Sequence, residues 1–255
     1  MKLIIEKNSE RASQVAADLL FGKMLSNRRV NLSITAGATP ICTYKILTEK
    51  IKDRSYLDHV HYYNFDEIPL RGKDQEDGIT MSMLRKLFFD PANISEKQIE
   101  KLTGANYQEQ DERIQKAGGL DLIFMGIGAD GHFCGNLPKL AHFDEWTVKK
   151  TAEDCVKIQP NFLDMMLAET INAGFSPEQS GDYYVTMGTK SVLQAKELLM
   201  MATGKAKANI VKQAFWGKVT EDIPSSVLRL HPNFILLLDE EAACALNDEE
   251  RNILY

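Results

Sequence analysis

Asp130 and His132 stand two residues apart in the segment Gly126-Ile127-Gly128-Ala129-Asp130-Gly131-His132. A histidine takes and gives a proton near neutral pH. A carboxylate beside it orients the ring and favours its charged form. Taken alone, the same tripeptide is equally compatible with a turn cap and a packed ring. Asp66 and Glu67 follow Tyr62-Tyr63-Asn64-Phe65. A carboxylate beside aromatic rings at a strand end loses water, and its pKa rises toward that of a useful base; a solvated surface pair is the other reading. Lys207, in the first turn of a helix, adds a cation where free N–H groups attract anions. Gly37-Ala38-Thr39, at another helix start, offers the same kind of anchor. For Lys205 and Lys207 a solvated helix face remains the plain alternative.

Other chemistries fit poorly. Gly126-x-Gly128-x-x-Gly131 matches the dinucleotide fingerprint in letters only. It leads into Phe133-Cys134-Gly135-Asn136-Leu137-Pro138, a poor helix, and no later strand ends in an acid at the required distance. No redox cofactor is expected. His59-x-His61 places two rings on one side of a strand, but no third ligand sits at suitable spacing, so no metal is expected. There is no GxSxG elbow for a serine hydrolase. The stripe Phe162, Met165, Met166, Ala168 reads as core rather than as a cofactor box.

These groups must be positioned by the elements around them. Leu3-Ile4-Ile5, Val30–Thr35, Val60–Asn64, Leu120–Met125, Tyr183–Met187, Leu198–Ala202 and Phe234–Asp239 read as strands. Between them lie helical stretches: one capped by Asn8 or Ser9 and running to about Leu25, one entered through Pro40, one over Thr80–Phe89 and one over Lys205–Trp216. Residues 126–161 read as irregular. The alternation predicts an α/β chain, a Rossmann-like three-layer arrangement with a mainly parallel sheet flanked by helices, over a single domain spanning residues 1–255. The polar and glycine-rich segments all follow carboxyl ends of strands, which a parallel sheet gathers along one edge.

The chain has 255 residues and a formal net charge of −6. It carries no block of Lys and Arg that could track phosphates, so no nucleic-acid partner is expected. Its four cysteines form no CxxC pair, which fits a reducing compartment. No apolar run reaches the roughly 18 residues of a membrane helix, and the first residues are too short in apolar character for a signal peptide. A cytoplasmic protein without membrane contact is the expectation; homo-oligomerisation stays open.

The ordered set of motifs resembles the superfamily of glucosamine-6-phosphate deaminases (isomerases) and 6-phosphogluconolactonases. Thr35-Ala36-Gly37-Ala38-Thr39-Pro40 is similar to its phosphate loop, and Asn64-Phe65-Asp66-Glu67 to the deaminase branch's Asn-x-Asp-Glu segment. The Gly126–His132 segment is similar to its most specific motif. Gly204-Lys205-Ala206-Lys207-Ala208 resembles its lysine-bearing helix start, and Pro224–Asn233 its late deaminase segment. The resemblance implies a sugar-phosphate substrate and no cofactor. It implies that Asp66 shuttles a proton between C1 and C2 of the opened sugar, and that His132, held by Asp130, assists ring opening. Lys207 and the backbone of Gly37, Ala38 and Thr39 would hold the phosphate, with Glu67 and Gly128 also in the substrate site.

Three positions depart from the pattern. Leu137 stands where the deaminases carry the glutamate that completes the ring-opening group. Ala38 stands where the phosphate loop usually has serine. Asn172 is the nearest match to an expected arginine, which would leave Arg85, Lys139 or Lys149 to compensate. Each charged hydrogen bond lost without compensation costs about 1.5–3 kcal/mol. The leading expectation is isomerisation with deamination of glucosamine 6-phosphate or galactosamine 6-phosphate to a ketohexose 6-phosphate and ammonia. A lactone hydrolase of the same superfamily is the alternative: Asn136-Leu137-Pro138 is closer to its pattern, whereas Ile68 replaces the arginine that branch carries. A sugar-phosphate sensor without turnover is a further alternative, supported by Leu137.

Overall fold

A computed structural model describes residues 1–252. Among the described residues ten strands are formed: β1 (Lys2–Glu6), β2 (Val30–Ile34), β3 (Val60–Asn64), β4 (Asp66–Glu67), β5 (Ile99–Glu100), β6 (Leu122–Met125), β7 (Val148–Thr151), β8 (Tyr183–Thr186), β9 (Leu198–Ala202) and β10 (Phe234–Asp239). Seven of them make one sheet in the order β1-β10-β9-β6-β2-β3-β5, with every neighbouring pair parallel. The helices are α1 (Ser9–Met24), α2 (Ile41–Ile51), α3 (Ile79–Leu84), α4 (Gln110–Lys116), α5 (Ala152–Ile158), α6 (Phe162–Asn172), α7 (Thr189–Leu193), α8 (Ala208–Trp216) and α9 (Asp248–Arg251).

The continuous apolar runs of the central strands follow from burial on both faces. Leu122 and Phe124 of β6 join Ala16 and Leu20 of α1 and Tyr44 and Leu47 of α2 in one core. Ile123 and Met125 join Val211 and Phe215 of α8 and Ile114 of α4 in the other. The result is three layers, helix–sheet–helix. Local signals set the helix starts: Asn8 caps α1 by accepting the Arg11 N–H at 2.9 Å. Among the described residues, no helix is long and apolar enough to cross a membrane.

The chain order creates a break in the sheet. From β2 the chain moves outward to β3 and β5; from β6 it moves the other way, to β9 and β10. Adjacent strands β2 and β6 therefore send their following loops apart, which opens a crevice at their carboxyl ends. The loops after β2 and β6 are residues 35–39 and 126–132.

Two expectations are corrected. The Tyr183–Met187 strand does not extend the parallel sheet. It is β8, the middle of a second, three-stranded antiparallel sheet in the order β4-β8-β7. β8 can take this position because Asp66 and Glu67 of β4 pair with Thr186 and Val185, immediately after β3 leaves the main sheet. The stretch 126–161 is also not wholly irregular. It contains β7 and α5, whose cap is Thr151 accepting the Asp154 N–H at 3.2 Å.

Candidate active site

Asp66 sits at the corner where the chain passes from one sheet to the other. Asn64 fixes that corner. Its amide donates to the carbonyls of Asp66 and Leu102 at 3.0 and 3.1 Å, and its Oδ1 accepts the Leu102 N–H at 2.8 Å. The Met187 N–H donates to the Phe65 carbonyl at 2.7 Å. The half-buried Asp66 side chain then faces a cavity of about 550 Å³ at the crevice. Only the Thr80 hydroxyl donates to it, at 3.3 Å. Burial raises its pKa from 3.8 to about 7, against the Thr80 hydrogen bond and the charge of His132, while the charge of Glu169 adds to the rise.

Glu67 points the other way along the strand. It is 1% exposed and serves as the N-terminal cap of α3, accepting the N–H groups of Ile68, Thr80 and Met81 at 3.0, 2.7 and 3.0 Å. Burial pushes its pKa up to about 8, opposed by those backbone donors. Glu67 is part of the cavity lining, and its carboxyl group holds the helix that carries Thr80.

The loop after β6 presents His132. Its Nδ1 lies 2.6 Å from Asp130 Oδ1, and its own N–H donates to the same oxygen at 3.2 Å. Burial would raise Asp130, but the hydrogen bond and charge of His132 outweigh it and hold the carboxylate below its ordinary pKa. The turn is closed by the Gly128 N–H on the His132 carbonyl at 2.8 Å. Gly128 is required by this close approach, because a Cβ there would overlap the His132 ring and the Asp130 carboxylate. From behind, the Ser225 N–H donates to the Gly131 carbonyl at 3.0 Å, which is the part played by the Pro224–Leu230 segment. β8 holds the far end of the loop: the Gly135 N–H donates to Thr186 Oγ1 and the Asn136 amide to the Met187 carbonyl, both at 2.9 Å. One strand thus positions both Asp66 and the histidine loop.

Lys207 closes a single 3-10 turn, Lys205–Lys207, ahead of α8. Its ammonium donates to the Ile127 carbonyl at 2.6 Å. Burial lowers its pKa, with the charge of Asp130 opposing. Gly37, Ala38 and Thr39 also line the cavity and precede α2; Gly37 takes a φ of +94°, a region that favours glycine. These groups line the same cavity, a cation and the residues that precede a helix.

Asp66, Glu67, His132, Lys207, Gly37, Ala38, Thr39 and Gly128 therefore line one cavity, with Asp130 behind His132. Arg85, Lys139 and Lys149 do not line it. The Arg85 guanidinium is engaged by Asp77 and Glu96, and Lys149 lies 3.4 Å over the Tyr183 ring. Asn172 ends α6 away from the cavity. Among the described residues, Lys207 is the one lysine or arginine in the lining. His59 faces the Met24 carbonyl and His61 faces Glu100; among the described residues no cluster of His, Cys, Asp or Glu is arranged to hold a metal.

The stripe on α6 is more than core. Phe162, Met165, Met166 and Ala168 line the cavity, and so does Glu169 one step further along the same face. Sequence reasoning missed Glu169, although its spacing from Phe162 and Met166 places it on that face of a helix. Leu137, at 5% exposure, joins Phe162, Met166 and Tyr184 in a separate apolar cluster. Where the motif pattern has an ionisable group, this protein has an apolar wall. Cys134 also lines the cavity, and burial pushes its thiol well above the ordinary range, so it is a neutral group there.

The model of the family of glucosamine-6-phosphate isomerases/6-phosphogluconolactonase matches residues 6–236. The chain is 31% identical over 262 residues to a glucosamine-6-phosphate deaminase of Thermoanaerobacter pseudethanolicus, covering 98% of this chain and 97% of the relative. It is 31% identical over 250 residues to one of Shouchella clausii, covering 95% and 96%. Among solved structures, a monomeric glucosamine-6-phosphate deaminase superposes with a TM-score of 0.80 at 24% identity, covering 96% of this chain and all of that one. The 6-phosphogluconolactonase from Trypanosoma cruzi superposes at 0.70 with 18% identity, covering 96% and 97%. The structural likenesses carry the fold.

Two outcomes follow from the carboxylates. The folded protein keeps the Asp66 proton through the interval from pH 3.8 to about 7, where the unfolded chain has released it. Stability therefore falls as pH rises through that interval, and the full cost is present above it. Asp66→Asn removes the charge and is expected to raise Tm at pH 8, with the gain shrinking at pH 5. An equal Tm difference at both values would contradict the assignment. Glu67→Ala leaves the first N–H groups of α3 without their acceptor and is expected to cost about 2–3 kcal/mol in urea unfolding.

Proposed function

Because the chain belongs to the glucosamine-6-phosphate isomerase/6-phosphogluconolactonase family, we propose that it converts glucosamine 6-phosphate and water to fructose 6-phosphate and ammonia. The observation that carries this reading is Asp66. A carboxylate with a pKa of about 7, facing the same cavity as a carboxylate-held histidine and a lysine, is a base for removing a proton from carbon near neutral pH. The curated relatives named above bear the name of that activity.

The phosphate is held by Lys207 and the N–H groups of Gly37, Ala38 and Thr39. This directs the sugar carbons toward Asp66. His132, oriented by Asp130, passes the proton that accompanies opening of the ring. Asp66 takes the proton from C2 and returns it to C1. The nitrogen at C2 is then an imine, which water hydrolyses to the ketone and ammonia. No electron is transferred, so placed acids and bases suffice. Lactone hydrolysis would need a histidine to activate water but no base at C2, and the desolvation of Asp66 would serve nothing there.

Ammonia release by Asp66→Asn is expected to fall by about 10²–10⁴-fold with Kd for the substrate nearly unchanged; activity near wild type would remove Asp66 from the mechanism. In the wild type, kcat/KM is expected to fall about tenfold per pH unit below pH 7 as Asp66 takes up its proton. A limb with its midpoint near pH 4 would contradict the account.

A further inference from the structure

Glu169 is an ionisable group of the cavity that the steps above leave unused. It lies on the face of α6 that also presents Phe162, Met165 and Met166 to the cavity. The cations on neighbouring elements are engaged elsewhere: Lys150 with Glu145, Lys157 with Asp154, and Lys190 over the Trp146 ring. Lys207 is tied to the Ile127 carbonyl. Among the described residues no lysine or arginine pairs with Glu169, which lines the exposed side of the cavity and raises the pKa of Asp66.

A second carboxylate facing the same cavity favours a substrate that brings a cation there. The phosphate is an anion and goes to Lys207. Asp66 must lie against C2, because it removes the C2 proton. The substituent on that same carbon in an amino sugar is an ammonium group. Glu169 and Asp66 line one cavity, whose wall includes the apolar side chains of Leu137, Phe162 and Met166. An ion pair formed against such a wall is screened less than one in water. Leu137 has a part in this: it packs with Phe162 and Met166 and so seats α6 against the cavity, where a charged residue in its place would lose water.

We propose that Glu169 is the specificity-determining residue that recognises the C2 ammonium group of the substrate, selecting 2-amino sugar phosphates over their 2-hydroxy counterparts. This rests on the hexosamine-phosphate reading of the site given above. The assignment separates charge recognition, on α6, from proton transfer, on β4. It also explains how a site with an apolar residue at position 137 discriminates between substrates of equal size.

The test uses two unreactive ligands that differ only at C2: 2-amino-2-deoxyglucitol 6-phosphate and glucitol 6-phosphate. Neither has a C1 carbonyl, so neither enolises. Calorimetric Kd values are measured for the wild type and for Glu169→Gln, an isosteric change on an exposed side chain whose Tm serves as the folding control. The wild type is expected to prefer the amino ligand. Glu169→Gln is expected to weaken the amino ligand about ten- to a hundredfold, leave the hydroxy ligand within about twofold, and raise KM for glucosamine 6-phosphate more than it lowers kcat. Equal weakening of both ligands, no change in either, or a loss confined to kcat would overturn the proposal. If the wild type released no ammonia from glucosamine 6-phosphate and bound neither ligand, the functional reading itself would fall. A wild type that turns over while Glu169→Gln keeps its preference removes Glu169 alone.

Discussion

A carboxylate kept short of water governs this site. Asp66 receives one hydroxyl hydrogen bond and is half-buried in the wall of the cavity, where loss of water raises its pKa. An exposed aspartate would be too weak a base to take a proton from carbon; one held near pH 7 is matched to the task. Its position requires several conditions together. β3 must end there, Asn64 must turn the chain, β4 must pair with β8, and Glu67 must hold α3 so that Thr80 reaches the carboxylate. Glu67 is unavailable to substrate because it does that work. The proposed base and the structural acid are adjacent in sequence and opposite in role, since successive strand residues face opposite sides.

The same strand that receives Asp66 also holds the histidine loop. Thr186 accepts the Gly135 N–H, and Met187 accepts the Asn136 amide. The small antiparallel sheet therefore ties the corner at Asp66 to the histidine loop, while the parallel sheet supplies the crevice and the proposed anion subsite. At that subsite the charge is lean. Lys207 acts without an arginine partner, and Ala38 offers no hydroxyl. On the proposed reading, phosphate is held by a half-buried lysine and by backbone N–H groups, which are preorganised and lose little entropy when a phosphate arrives.

Much of this was legible in the sequence because glycine-rich turns after apolar runs mark strand ends, and parallel strands bring such ends together. Gly126–His132, Asp66 and Lys207 fall on one sheet edge by that rule alone. β8 was misplaced because Tyr183-Tyr184-Val185-Thr186 is buried along its whole length and reads like a central parallel strand; only pairing with β4 and β7 distinguishes it. β7 was missed because Val148-Lys149-Lys150-Thr151 is short and half-exposed with two lysines, a pattern with no apolar alternation strong enough to stand out. On α6 the apolar stripe was visible, but periodicity does not tell a core from a cavity wall. The chemical significance of Glu169 depended on that distinction.

The central claim is that burial makes Asp66 a neutral-pH base, and a ¹³C-carboxyl NMR titration reads it directly. With the aspartate carboxyls labelled and the Asp66 resonance identified by its loss in Asp66→Asn, the midpoint is expected at about pH 7. A midpoint near the ordinary value of 3.8 would show a solvated carboxylate and contradict the account.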